Sequence, residues 1–195
     1  MALELKTIRK DLRKKRRQLT TYQQKQAAQQ VLNQLRQHHI FKNSQNIGLY
    51  LSAFGEIQTK AIIEYCFLKR KKVFLPLICN MNQKLVWISI SKYQYRNKRF
   101  IQHSLGMQEP IATRGKHVAT LDLLLMPLLA CDTQGSRVGM GGGFYDRTLA
   151  DAPKKPFRLG IAHHFQFIHT SFTRQPWDQA LDALVTPEMF LRFQR

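Results

Sequence analysis

Residues 46–78 constrain the fold more than any other stretch of the chain. "NIGLYLS" (46–52) is a buried-strand pattern, "AFGEIQ" reads as a loop, Thr59 opens the helical stretch "KAIIEYCFLKRKK", and "VFLPLI" (73–78) is a second strand. Strand, loop, helix and strand in that order form a parallel crossover unit, because parallel neighbours need a long connection to pair. Further strand-length runs follow at "KLVWISI" (84–90), "LDLLLMPLL" (121–129), "RLGIAH" (158–163) and "ALVT" (183–186). Pro127 argues against a helix in the second of these. Residues 91–118 are basic, polar and expected to be irregular. The pattern predicts an α/β fold: a single three-layer α/β/α domain over residues 1–195, with a mostly parallel, Rossmann-like sheet. Its strands feed loops on one edge, where open α/β sheets bind ligands.

Two helices are expected ahead of that unit. Leu5, Ile8, Leu12 and Leu19 share one face of a basic N-terminal helix over residues 3–19. The rows Lys6–Arg9–Arg13 and Lys10–Lys14–Arg17 run at helical spacing over its remaining surface. Thr20 or Thr21 caps the next helix, whose Ala27, Val31 and Leu35 form an apolar stripe.

Charge narrows the partners without choosing one. Lys and Arg number 31 against 12 Asp and Glu, a net charge of +19. Such a field attracts polyanions generally: nucleotides, polyglutamylated small molecules, nucleic acid or acidic membranes. No apolar run has transmembrane length and the N-terminus lacks a signal-peptide core, so the chain is expected to be soluble and cytoplasmic. Cys66, Cys79 and Cys131 form no CxxC pair and read as buried thiols of a reducing compartment.

The chemistry concentrates at "RVGMGGGFYDRTLA" (137–150). A strand, a glycine run and a helix start is an order that cradles phosphate: bare N–H groups approach an anion closely, and the helix terminus adds positive potential. The spacing is not a P-loop, since no Gly-Lys-Ser/Thr closes it. Arg137 can fork onto phosphate oxygens, and Asp146, in the first helical turn, is placed to hold Mg²⁺ against a polyphosphate. A tight turn with Asp146 favouring the helix N-terminus is the other reading of these residues.

"MPLLACDTQGSRVGMGGGFYDRTL" resembles the signature of the 5-formyltetrahydrofolate cyclo-ligases, also called methenyltetrahydrofolate synthetases. The likeness continues in "IRKDLRKKRRQLT", "GLYLSAFGEIQTKAIIE", "KKVFLPLI" and "PWDQALDALVT". The resemblance implies an enzyme that uses ATP and Mg²⁺ to convert 5-formyltetrahydrofolate into 5,10-methenyltetrahydrofolate. Phosphorylation of the formyl oxygen gives an iminium phosphate, which N10 attacks before phosphate leaves.

The same resemblance implies the site. Arg137, Val138, Gly139, Met140, Gly141, Gly142, Gly143, Phe144 and Tyr145 would line the ATP phosphates, with Arg137 and Tyr145 acting in catalysis. Leu5, Lys6, Thr7, Ile8 and Arg9 would supply the N-terminal ATP contact; Arg13 fits an alternative register. Asp146 and Asp182 would hold the metal. Leu51, Glu56 and the stretch Met140 to Phe144 would meet the folate, Glu56 accepting from the N–H edge of the pterin. Trp87 reads as a buried strand residue, and Glu109 receives no role. The chain departs from the family pattern at Met140, Phe144, Gly142 and His164. A metal site at His163 and His164 is not expected, since neighbours on a strand face opposite ways. The expected protein is a monomer acting on free or polyglutamylated folate. Two other readings remain: a nucleic-acid binder using "KRKK" (69–72) and "KYQYRNKR" (92–99), where Tyr93 and Tyr95 interleave with cations, and a sugar-phosphate or CoA enzyme on a similar scaffold.

Overall fold

The structure, a computed structural model, describes residues 2–194. Three helices come first: α1 (Ala2–Gln18), α2 (Thr21–Gln37) and α3 (His39–Asn43). Strand β1 (Asn46–Gly48), helix α4 (Lys60–Leu68) and strands β2 (Lys72–Cys79) and β3 (Lys84–Ile90) follow. The next segment holds α5 (Lys92–Arg96), the hairpin β4 (Phe100–Gln102) and β5 (Gln108–Pro110), and a 3₁₀ turn at Val118–Thr120. After it come β6 (Leu123–Pro127), β7 (Ala130–Asp132), β8 (Arg137–Val138) and α6 (Phe144–Ala150). The chain closes with β9 (Phe157–Ile161), β10 (Phe167–Ile168), β11 (Ala183–Val185) and β12 (Phe190–Arg192).

The seven-stranded sheet runs β12-β11-β9-β6-β1-β2-β3. Strands β11, β9, β6, β1 and β2 pair in parallel, and β12 and β3 close the edges in antiparallel fashion. This is the mostly parallel sheet that the apolar runs predict. Strand β6 shows why those runs do not alternate: Leu123 and Leu125 face one layer, Leu124 and Met126 the other, and all four are fully buried. Each such side chain contributes about 1.5–3 kcal/mol. An ionised residue at any of them would meet no partner on either face.

One face of the sheet is covered by α2, α3 and α4. Helix α2 begins where Thr20 and Gln23 form a reciprocal capping box, worth about 1 kcal/mol. It buries Ala27, Ala28, Val31, Leu32 and Leu35. The other face, which includes Trp87 of β3, packs on α6 and the Val118 turn. Helix α1 lies apart from both layers. Its Leu12, with Leu5 and Ile8, packs on Ala130 and Val138 of the small β10-β7-β8 sheet.

Chain order sets the position of the site. From β1 the chain passes to β2 on one side, while β6 enters on the other side of β1. Strand order reverses between β1 and β6, which opens a crevice beyond their carboxyl ends. Two segments leave the sheet there: Leu49 to Glu56 from β1, and Leu128 to Gly143 from β6.

Two sequence expectations need correction. The strand expected over 46–52 ends at Gly48, because after Leu49 donates to the Phe74 carbonyl the chain turns away into the crevice. Residues 91–118 are more regular than expected: Ser91 and Gln94 form a second capping box that starts α5, and β4 and β5 pair beyond it.

Candidate active site

The glycine loop is launched by a buried aspartate. Asp132, fully buried, accepts the main-chain N–H groups of Gln134 and Ser136 on Oδ1 and that of Phe172 on Oδ2, at 2.7–2.9 Å. That tight turn delivers Arg137 to the base of the loop. In the sequence Asp132 is marked only by its motif and by its position as an acidic residue two before Gln134 in a turn.

Gly141 carries the conformational argument. Its φ is +104°, and a Cβ built there would meet no heavy atom within 4 Å. Packing does not demand glycine at this position, but the backbone conformation does, and the vacant space lies on the exposed side of the loop. Arg147 braces the loop from the other side, with its guanidinium donating to the Gly142 carbonyl at 2.7 Å and stacking on Phe144.

Arg137 and Asp146 form a 2.5 Å ion pair beneath the loop. Asp146 Oδ1 also accepts the Gln179 N–H at 3.1 Å. Both contacts fall on Oδ1, which leaves Oδ2 for another ligand. Arg137 lies 5.7 Å from the centre of the Tyr145 ring. Burial, then the nearby Glu56 carboxylate, raises the Tyr145 phenol, and Arg137 opposes that shift; near neutral pH the group is a hydrogen-bond donor.

Helix α1 supplies a row of cations. Leu5 and Ile8 anchor it, while Lys6 and Thr7 are exposed. Arg9 is half-buried; Arg13 donates to the Met140 carbonyl at 3.2 Å; Arg16 is 1 % exposed and donates to the Leu128 carbonyl at 3.3 Å. The Nε atoms of Arg9, Arg13, Arg16 and Arg137 are all buried without an acceptor among the described residues. Arg16 escaped the sequence reading, although it extends the Lys6–Arg9–Arg13 row by one more turn.

The segment after β1 forms the opposite wall. A cavity of about 340 Å³ is lined by Gln24, Phe54, Glu56, Gln58 and Lys60, among others. Phe54 and Gly55 turn through φ of +51° and +75°, and a Cβ on Gly55 would stand 2.7 Å from the Arg16 carbonyl oxygen. Glu56 is largely buried; its carboxylate accepts the Ala53 N–H at 3.0 Å, and burial raises its pKa. Leu51 packs partly buried behind it. His163, at the end of β9, bonds the Gly55 carbonyl at 3.1 Å, and burial pulls its pKa down to about 4, so the ring is neutral.

The structure thus brings Arg137 through Tyr145, Asp146 and Glu56 toward one crevice, while Arg9 is half-buried on α1. Asp182 stands elsewhere, at the amino end of β11, where its Oδ2 accepts the Arg158 N–H at 2.7 Å. It connects to Asp146 through Arg158 and Gln179, whose Oε1 accepts from the Arg158 guanidinium at 3.1 Å. Among the described residues no cluster of three His, Cys, Asp or Glu side chains is arranged to hold a metal. His163 and His164 take different partners, Gly55 and the Thr186–Glu188 turn. Glu109 is buried and accepts the Ile78 N–H at 2.9 Å, and Trp87 is fully buried. Tyr95 packs between Phe67 and Phe100, while Tyr93 is exposed with Arg99 over one face of its ring. No helix among the described residues is long and apolar enough to cross a membrane.

A doubly wound sheet with cations, a glycine loop and a buried carboxylate at its strand-order reversal defines a class: α/β proteins with a ligand crevice at the carboxyl edge of the sheet. The family model of the 5-formyltetrahydrofolate cyclo-ligases matches residues 3–187. The chain is 37% identical over 186 residues to the 5-formyltetrahydrofolate cyclo-ligase of Haemophilus influenzae, covering 91% of this chain and 95% of the relative. It is 32% identical over 180 residues to that of Escherichia coli K12, covering 90% and 96%. The solved structure of Aquifex aeolicus 5,10-methenyltetrahydrofolate synthetase superposes with a TM-score of 0.82 at 26% identity, over 98% of this chain and 93% of that one. This chain belongs to the 5-formyltetrahydrofolate cyclo-ligase family.

Proposed function

We propose that the protein catalyses the ATP- and Mg²⁺-dependent conversion of 5-formyltetrahydrofolate to 5,10-methenyltetrahydrofolate, with release of ADP and phosphate. Family membership supports the overall reaction. The observation that carries the mechanism is the crevice itself, where a glycine loop with an open, side-chain-free face stands over an Arg–Asp pair and faces a cavity with a buried carboxylate.

The formyl oxygen is a poor leaving group. Transfer of the ATP γ-phosphoryl group to that oxygen makes it a good one and leaves the formyl carbon electrophilic. N10 then attacks this carbon and gives up its proton to the departing phosphate or water, the C–O bond breaks, and inorganic phosphate leaves with the oxygen. Such chemistry asks for positioning and charge stabilisation rather than a protein nucleophile. The main-chain N–H groups from Val138 to Phe144 cradle the phosphates, Arg9 and Arg137 neutralise them, and Tyr145 donates its phenolic hydrogen. Leu5 and Ile8 hold Arg9 in place, with Lys6 and Thr7 at the outer rim.

Asp146 fits a magnesium ion, since its Oδ2 is uncommitted and beside the phosphate cradle; Asp182 is the second, outer carboxylate, linked through Gln179 and Arg158. When bound, the metal supplies positive charge to the phosphate oxygens. With Asp146 turned to the metal, Arg137 would be free to pair with the triphosphate. Glu56 orients the pterin, Leu51 lines its apolar edge, and Lys60 at the cavity mouth favours an acidic glutamate tail.

Mixing the protein with 5-formyltetrahydrofolate and MgATP and following the ultraviolet absorbance of the methenyl product tests this reading. Product is expected only with ATP present. Absence of product, combined with salt-sensitive binding to mixed-sequence RNA, would restore the nucleic-acid reading.

A further inference from the structure

Arg16 is the most buried cation beside the crevice and is short of acceptors. A guanidinium has five donor hydrogens. At 1 % exposure, Nη1 reaches the Leu128 carbonyl at a long 3.3 Å, Nη2 reaches the Met140 sulfur at 4.0 Å, and Nε has no acceptor. The nearest anion, Glu56 Oε1, is 4.0 Å away, beyond hydrogen-bond range. Burial lowers the Arg16 pKa, and Glu56 only partly offsets it. A buried charge left short of acceptors is unfavourable for folding, so a structural role explains it poorly.

Its location supplies the missing partner. On one side the guanidinium faces Glu56, in the pocket segment after β1. On the other it faces Met140, next to the open Gly141. We infer that Arg16 is a further catalytic residue, a cation shared by the two substrate sites that grips the phosphoryl oxygens as the group passes from ATP to the formyl oxygen. This rests on the reaction proposed above. A dianionic phosphoryl group is the ligand that brings several strong acceptors to this point, and planar Arg forks match its oxygens. The stabilisation that a cation gives there is greatest when the transferring group lies between the two substrates, so Arg16 acts on the rate more than on either affinity.

The variant Arg16→Met keeps the length and removes the charge. The wild-type turnover assay comes first, because failure there defeats the reaction itself and not this inference. With an active wild type, R16M is expected to lose about 10²–10³-fold in kcat, the range for removal of a donor at developing charge. Its Kd values for a non-hydrolysable MgATP analogue and for 5-formyltetrahydrofolate should stay within about threefold, and its Tm should hold or rise because an under-paired buried charge is gone. Arg16→Lys, which keeps the charge without the fork, should recover part of kcat. R16M with kcat within about threefold of wild type would overturn the proposal. A fall in Tm together with loss of both affinities, or failure of R16M to fold while R16K is fully active, would assign Arg16 a structural role and overturn it as well.

Discussion

Gly141→Ala separates a phosphate cradle from a mere turn. The Cβ added at this position would touch no protein atom within 4 Å, so the fold pays no steric penalty. What remains is backbone strain, since φ of +104° is foreign to alanine; about 1–2 kcal/mol is the usual size. For a chain of this length that lowers Tm by about 2–8 °C. The methyl would project into the vacant face where the proposed function puts the phosphates. Keeping one phosphate oxygen from its N–H donor removes a charge-assisted hydrogen bond worth about 1.5–3 kcal/mol, which weakens MgATP binding roughly 10- to 150-fold. Titration calorimetry with a non-hydrolysable MgATP analogue reads the affinity, and thermal melts read the stability. Gly115→Ala is the control: its Cβ would press on Val86 at 2.7 Å, far along the chain from the loop, so Tm should fall while nucleotide affinity stays. Wild-type affinity in G141A would refute the cradle.

Three further outcomes follow from the site. Asp146→Asn should remain folded, lose about 100-fold or more in kcat, and require far more Mg²⁺ for half-maximal rate; an unchanged Mg²⁺ titration would remove Asp146 from the metal site. The His163 imidazole takes its proton near 6.5 when unfolded but near 4 when folded, so acid favours the unfolded state through that window. Each unit is worth about 1.4 kcal/mol, and stability should fall by up to about 3 kcal/mol between pH 6.5 and 4, a slope that His163→Gln should flatten in urea melts. Glu56 acts in the opposite sense: its folded pKa is raised above 4.5, so its contribution weakens stability as pH rises through that window, and Glu56→Gln should steepen the acid loss. The same variant should raise KM for 5-formyltetrahydrofolate at least tenfold with little change in KM for ATP, because an amide presents an N–H₂ where the pterin edge needs an acceptor.

The sheet was legible because burial on both faces leaves an unmistakable mark: "VFLPLI" and "LDLLLMPLL" carry no polar alternation. The glycine loop was legible for a related reason, since few contexts tolerate so many residues without side chains between an arginine and a helix start. Arg16 was not, because a buried, catalytically placed arginine in "RKDLRKKRRQ" looks like its solvated neighbours until the packing of Leu12 on Val138 fixes which way the helix faces. Asp182 marks another limit: its motif alone does not show that the long-range pairing of β9 with β11 brings its Oδ2 to the Arg158 N–H. The surroundings of the Glu56 segment were not legible either: Arg16 comes from α1 and His163, which bonds the adjacent Gly55 carbonyl, from the end of β9, and no sequence spacing connects them to this loop.

The path of the formyl oxygen tests the reaction most directly. With 5-formyltetrahydrofolate labelled with ¹⁸O in the formyl group, each turnover should place one ¹⁸O atom in the released inorganic phosphate, read by mass spectrometry. Label appearing in water, with unlabelled phosphate, would mean that the γ-phosphoryl group never reached the formyl oxygen and would contradict the account.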